Sequence, residues 1–208
     1  PRSSSSYSTR GFVQLQAGQR EAAREAFREA LERSADNDYA GNMLLETCTD
    51  QAEALDSLDF IHRQLVAQVT FGDGWLAYPD QARRLLEQQV LLEQLSEALQ
   101  QRPDLWQLWV VVAAQQAEMG QVEQAETLLQ SAIERFPLMP RLALERAQLQ
   151  SSQKQYAECR ETLRGSFRIN PLWTRSVRLY VESLLDEGTD LEEAESLLRS
   201  VHARTPDN

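Results

Sequence analysis

Gly18-Gln19-Arg20-Glu21-Ala22-Ala23-Arg24-Glu25-Ala26-Phe27-Arg28-Glu29-Ala30 aligns without a gap with Gly120-Gln121-Val122-Glu123-Gln124-Ala125-Glu126-Thr127-Leu128-Leu129-Gln130-Ser131-Ala132. The prolines carry a stride of the same kind. Pro103, Pro137, Pro171 and Pro206 follow one another at steps of 34, 34 and 35 residues, each just past an amphipathic stretch where a helix should stop. Extended backwards from Trp106, the stride sets six frames, 4–37, 38–71, 72–105, 106–139, 140–173 and 174–208, which take up everything after the first three residues. A constant interval of this length is the sequence sign of stacked helical units. The competing reading, a plain helical bundle, needs the even spacing of the prolines to be an accident.

Composition agrees with an all-α chain. Of 208 residues 42% are hydrophobic and 25% charged, enough apolar surface for a core. Only eight Gly and seven Pro are spread among residues that lose little in a helix. The best apolar run, Leu105 to Ala114, is broken by Gln107 and falls short of the ~18 residues of a membrane span, so no membrane insertion is expected. The opening Pro1-Arg2-Ser3-Ser4-Ser5-Ser6 does not read as a signal peptide, and the expectation is a segment of a longer chain. The formal charge of −11 argues against nucleic acid and against an anionic membrane surface. Lys154 is the only lysine, so positive charge is carried by arginine, whose planar fork suits carboxylates. Cys48 and Cys159 read as small core hydrophobes.

Within the frames, the pattern resembles the tetratricopeptide repeat, a helix-turn-helix with alternating large and small slots and a closing proline. Tyr7, Gly11, Ala23, Phe27 and Ala30 carry the resemblance in frame one, where Ala35 replaces the proline. Trp109, Ala113, Ala125, Leu129, Ala132 and Pro137 carry it in frame four. Frame five has Ala143, Ala147, Cys159, Leu163, Ser166 and Pro171. In frame six, one residue is inserted near Gly188 before Ala194, Leu198, Val201 and Pro206. The resemblance implies a right-handed α-solenoid of antiparallel helix pairs in one domain, 1–208. Small residues would let paired helices approach and large ones would fill the seam between repeats.

Frames two and three match poorly. Asp50 and Glu53 read as a helix cap, followed by a stripe of Leu55, Leu58, Ile61, Leu65 and Val69 expected to face the core in a helix running to about Thr70. Phe71 to Asp80, with two glycines and Pro79, should deny frame three a normal first helix. One long helix is expected from Asp80 to about Gln101, through Leu85, Leu86, Val90, Leu91, Leu95 and Leu99. Trp75 and Tyr78 on this segment either form a lip over a binding groove or plug an exposed seam.

No catalytic signature is found, and neither a metal nor a cofactor is expected. His62 and His202 stand on separate helices without a second ligand at i+3 or i+4, and no phosphate loop or nucleophile elbow is present. The acidic run from Asp186 to Glu195 lacks the spacing of a calcium loop; Asp190 reads as a cap with Glu193 returning to it.

By the resemblance, the second, fifth, ninth and twelfth slots of each first helix point into a concave groove. These slots hold Gln107, Val110, Ala114 and Ala117 in frame four. Frame five contributes Arg141, Leu144, Gln148 and Ser151, and frame six contributes Arg175, Arg178, Glu182 and Leu185. The floor is expected to be moderately apolar. Three arginines on an acidic protein point to a peptide or protein partner whose carboxylate they fork, unless they pair with neighbouring acids. The co-chaperone subfamily, which places Lys and Asn at the fifth and ninth slots of its first repeat, is set aside because Ser8 and Phe12 stand there. An interaction scaffold is the leading expectation. The alternatives are the recruiting arm of a larger enzyme and a spacer that self-associates through the terminal helix with Leu191, Ala194, Leu197, Leu198 and Val201.

Overall fold

Each frame contains a pair of helices. The computed structural model describes residues 3–68, 71–171 and 173–204, and Pro206, Val69, Thr70 and the Val201 side chain lie outside what it describes. Among the described residues twelve α-helices follow one another without a strand: α1 (Ser4–Gln16) and α2 (Arg20–Arg33), α3 (Asp38–Glu46) and α4 (Gln51–Ala67), α5 (Asp73–Ala82) and α6 (Gln88–Gln101), α7 (Trp106–Glu118) and α8 (Val122–Arg135), α9 (Pro140–Ser152) and α10 (Tyr156–Ile169), α11 (Thr174–Glu187) and α12 (Leu191–Arg204). The chain forms two compact units, Pro1–Gln115 and Gln116–Asn208, and the division falls within α7.

Four first helices end in the same way. Gly18, Gly120, Lys154 and Gly188 take left-handed φ of 76°, 78°, 61° and 72°. The amide one residue later reaches back to the last turn: Gln19 to the Gln14 carbonyl, Gln121 to Gln116, Gln155 to Gln150 and Thr189 to Leu184, at 2.8–3.0 Å. These bonds satisfy carbonyls that the helix end would leave bare, and glycine enters the left-handed region without a Cβ clash. Lys154 holds the same geometry with a side chain, which costs strain. The short turn then folds the chain back, so two helices of nearly equal length pack antiparallel. The residue inserted in frame six lies after Gly188: α12 starts at Leu191, and Asp190 takes a φ of 43°.

Small residues sit where the helices meet. On α1, a Cβ at Gly11 would stand 2.7 Å from the Phe27 ring, so nothing larger fits without displacing it. Ala23, Ala26, Phe27 and Ala30 on α2 are fully buried. In the second unit Leu144, Ala147, Cys159, Leu163, Tyr180, Val181, Leu184 and Ala194 form one cluster across α9 to α12. Burial pushes the Cys159 thiol up to about 11, so it serves as a packing group rather than a thiolate.

One arginine slot ties a hairpin to the next in both units. Arg24 Nη2 donates to the Thr47 carbonyl at 2.9 Å and to Glu53 Oε2 at 2.6 Å. Arg160 Nη1 donates to the Ser183 carbonyl at 3.3 Å and Nη2 to Glu187 Oε2 at 2.6 Å. Charge-assisted bonds to a helix's last carbonyls and to a carboxylate are the stronger kind. The Arg24 guanidinium, with two bonds from Thr49, holds the Glu53 carboxyl down to about 2.

Frames two and three depart from expectation in specific ways. Asp50 Oδ1 caps α4 by accepting from the Glu53 amide at 2.9 Å, but the Glu53 carboxylate returns to the Thr49 amide, one residue before the cap. Leu58, Ile61 and Leu65 are buried, whereas Leu55 is exposed. The long helix expected from Asp80 to Gln101 is instead two helices. Frame three keeps a first helix, α5, which begins at Asp73 and contains Pro79. The chain then turns through residues 83–87, where the Ala82 carbonyl accepts from both the Leu85 and Leu86 amides. The reason is geometric. Ala82 and Leu91 are both buried, yet residues nine apart point to opposite sides of one continuous helix at about 100° per residue. Breaking the helix lets both face inward.

Candidate functional site

In the second unit polar side chains converge between α9 and α11, the first helices of frames five and six. Pro140 opens α9 at the position where a missing N–H costs nothing, and Arg141 follows it. A cleft of about 350 Å³ is lined by Arg141, Leu144, Glu145, Gln148, Arg175, Arg178, Leu179 and Glu182. Six of these were expected from their slots. Two more, Glu145 and Leu179, were not, although an acid four residues after Arg141 was a readable signal for Glu145.

The three guanidiniums are not equivalent. Arg141 donates through Nε to Glu145, and Arg178 donates through Nε to Glu182 Oε1 at 2.7 Å. The Arg178 guanidinium is held even further above its ordinary range by that bond. Arg175 is exposed and makes no ion pair among the described residues. Leu144 is only 2% exposed and belongs to the core cluster beneath, so the apolar part of the floor is carried by half-buried Leu179. Around it, guanidinium, carboxylate and the Gln148 amide face the solvent.

A second cleft of about 360 Å³ lies between α1 and α3 in the first unit, lined by Ser5, Ser8, Thr9, Phe12, Asn37 and Tyr39. Asn37 organises it. Its Nδ2 donates to Ser4 Oγ at 2.7 Å and to Ser8 Oγ at 2.8 Å, while its Oδ1 caps α3 by accepting from the Ala40 amide at 2.9 Å. Phe12 and Tyr39 are each 44% exposed. Among the described residues no charged side chain lines this cleft.

The remaining groove residues, on α7, behave differently. Gln107 is buried, and its Nε2 donates to the Phe71 carbonyl at 2.7 Å and to Asp73 Oδ1 at 3.2 Å, so its amide is committed to holding the entry of α5. Val110 is buried and Ala114 exposed.

Trp75 and Tyr78 do not form a lip. Each is 1% exposed. Gly72, at φ 98°, lets the chain enter α5, and the Asp36 carboxylate accepts from the Phe71 amide at 2.7 Å and the Gly74 amide at 3.0 Å. This turns both rings inward onto His62, with centroids 5.7 Å and 5.5 Å away. Tyr78 satisfies its hydroxyl on Gln94 Oε1 at 2.8 Å. Burial lowers the His62 pKa and raises that of Tyr78. The large side chain left outside at this loop is Phe71, 89% exposed. His202 is exposed on α12.

Among the described residues no cluster of three or more His, Cys, Asp or Glu side chains is disposed to hold a metal ion, and no helix is long and apolar enough to cross a membrane.

Comparison with known proteins bears on the fold. Family models described as tetratricopeptide repeat match residues 4–37 and 113–138. No match is found among curated proteins. Solved structures share the fold at low identity. A structure from the functional characterisation of Pseudomonas aeruginosa pilF is 19% identical with a TM-score of 0.52, over 99% of this chain and 93% of that one. A thermophilic TPR protein of Thermus thermophilus is 19% identical with a TM-score of 0.55, over 88% and 100%. MamA MSR-1 is 16% identical with a TM-score of 0.51, over 96% and 95%. The chain carries tetratricopeptide repeats in frames one and four, within an all-α helical-repeat fold that solved structures share along nearly its whole length.

Proposed function

We propose that the chain is a protein-interaction scaffold that holds an extended peptide by a carboxylate in the cleft between α9 and α11. The observation that carries this reading is Arg175. It is an exposed guanidinium without an ion-pair partner among the described residues, in a cleft it shares with two further arginines, on a protein of net charge −11. A planar fork binds a carboxylate through two parallel hydrogen bonds, and the glutamine amide at Gln148 is placed to bond the backbone of an extended chain. The test is capture of partners from native lysate on the immobilised chain, beside a variant with Arg141, Arg175 and Arg178 changed to Ala. Loss of the captured partners at constant salt is expected. Retention of the same partners removes the cleft from the function.

A second reading is favoured by a separate observation. Leu191 and Leu198 on α12 are 61% and 49% exposed, which suits self-association through that helix. It predicts concentration-dependent oligomers in scattering measurements that disappear when both leucines are changed to Ser.

A further inference from the structure

Two of the three guanidiniums in the α9/α11 cleft already hold a carboxylate, and in each case it comes from their own helix. Arg141 bonds Glu145 and Arg178 bonds Glu182, with the same four-residue spacing, the same order along the chain and the same donating nitrogen, Nε. The order is the weaker one for such a pair, because an acid is better placed on the N-terminal side of a base. In the second pair the arginine and glutamate side chains are 78% and 45% exposed, so water screens their attraction. Both glutamates line the cleft themselves. The lining therefore carries three positive and two negative charges, a surplus of one.

We infer that Glu145 and Glu182 are specificity-determining residues that tune the cleft to a single partner carboxylate and turn away acid-rich segments. The inference rests on the reading of this cleft as a carboxylate site. One incoming carboxylate is forked by Arg175 and balances the surplus charge. A second or third meets the two glutamates, and like charges at this range repel. Without the glutamates, Arg141 and Arg178 would turn the cleft into a general receptor for acidic peptides, so discrimination comes from the repulsive element.

The test uses the whole chain and three N-acetylated alanine-based peptides: one with a free C-terminal carboxylate, one amidated with a single internal Glu, and one amidated with three consecutive Glu. Binding is followed by the arginine Nε–H resonances, for the native chain, for the Glu145→Gln/Glu182→Gln double variant and for Arg175→Ala, with circular dichroism to check folding. The native chain is expected to bind a one-carboxylate peptide at least as tightly as the three-Glu peptide; the tighter of the first two peptides identifies a terminal or side-chain source. The double variant should bind the three-Glu peptide about tenfold more tightly, with less than about threefold change for the one-carboxylate peptides. Arg175→Ala should weaken all of them about tenfold. A double variant that gains nothing for the three-Glu peptide, beside a normal loss in Arg175→Ala, overturns the inference and leaves the carboxylate reading standing. No binding by any of the three proteins overturns both.

Discussion

In the cleft between α1 and α3 the lining is hydroxyl and aromatic, while between α9 and α11 it is guanidinium and carboxylate, although equivalent slots build both. Ser5, Ser8 and Phe12 occupy the second, fifth and ninth slots of α1, as Arg141, Leu144 and Gln148 do on α9, and Tyr39 and Arg175 take the second slot of the following first helix. The volumes are close, about 360 Å³ and 350 Å³. Beneath both clefts the second helix presents a matching buried row, Ala23, Phe27 and Ala30 in one, Cys159, Leu163 and Ser166 in the other. The difference teaches that shape and chemistry are separately encoded here. The buried row sets helix separation, and the outer side chains over it, at the second and ninth slots, are free to change because they give up little core contact when they do.

The sharpest way to break this comparison is to remove the buried residue that the two hairpins share by position. Phe27→Ala should destabilise the chain by about 4 kcal/mol and Leu163→Ala by about 3 kcal/mol, measured by urea unfolding. A negligible loss at either position would mean that the two hairpins are not built on the same plan.

Acid sensitivity probes the arginine slot that ties successive hairpins. The Glu53 carboxyl sits at about 2 in the folded chain against an ordinary value of 4.5, chiefly because of its bond to Arg24. Its contribution to stability is therefore complete above about 4.5, declines as the pH falls from there, and is gone below about 2. Melting temperature recorded across that window should fall less steeply in Glu53→Gln than in the native chain. Glu187 is lowered in the same direction by Arg160, so Glu187→Gln should also flatten the loss of stability as the pH falls below about 4.5. A native-like slope in both variants would show that these ties are not felt.

The smallest effect sharpens the comparison at the helix ends. Gly18, Gly120 and Gly188 take a left-handed conformation that Lys154 holds with a Cβ. Lys154→Gly should stabilise the chain by about 0.5 kcal/mol, the relief of strain exceeding the added freedom of the unfolded chain. A destabilised variant would show that the Lys154 side chain contributes more than its backbone strain costs.

Much of this was open to inspection before any coordinates. First helices begin at the frame boundaries 4, 38, 106, 140 and 174, whereas frame three, which was expected to lack a normal first helix, starts one at Asp73. The capping roles of Asp50 and Asp190 were equally visible, because each bonds an amide three residues on, to Glu53 and Glu193. Six of the eight residues of the arginine cleft could be named from the slots that the resemblance implied. Their state could not. Whether Arg141 turns to Glu145 or to solvent is a choice between rotamers that spacing alone leaves open.

The sequence by itself determined the stride, the helix pairs outside frame three and the left-handed turns, since these follow from backbone bonds spanning six residues or fewer and from the size of the residue at each crossing. Tertiary structure decided what depends on partners 35 to 40 positions away. The Asp36 carboxylate caps the loop at Phe71 and Gly74, Gln107 closes it from the other side, and together they send Trp75 and Tyr78 into the core. The same is true of the break between α5 and α6. A residue is buried only when another element covers it, and no local pattern states which element that will be.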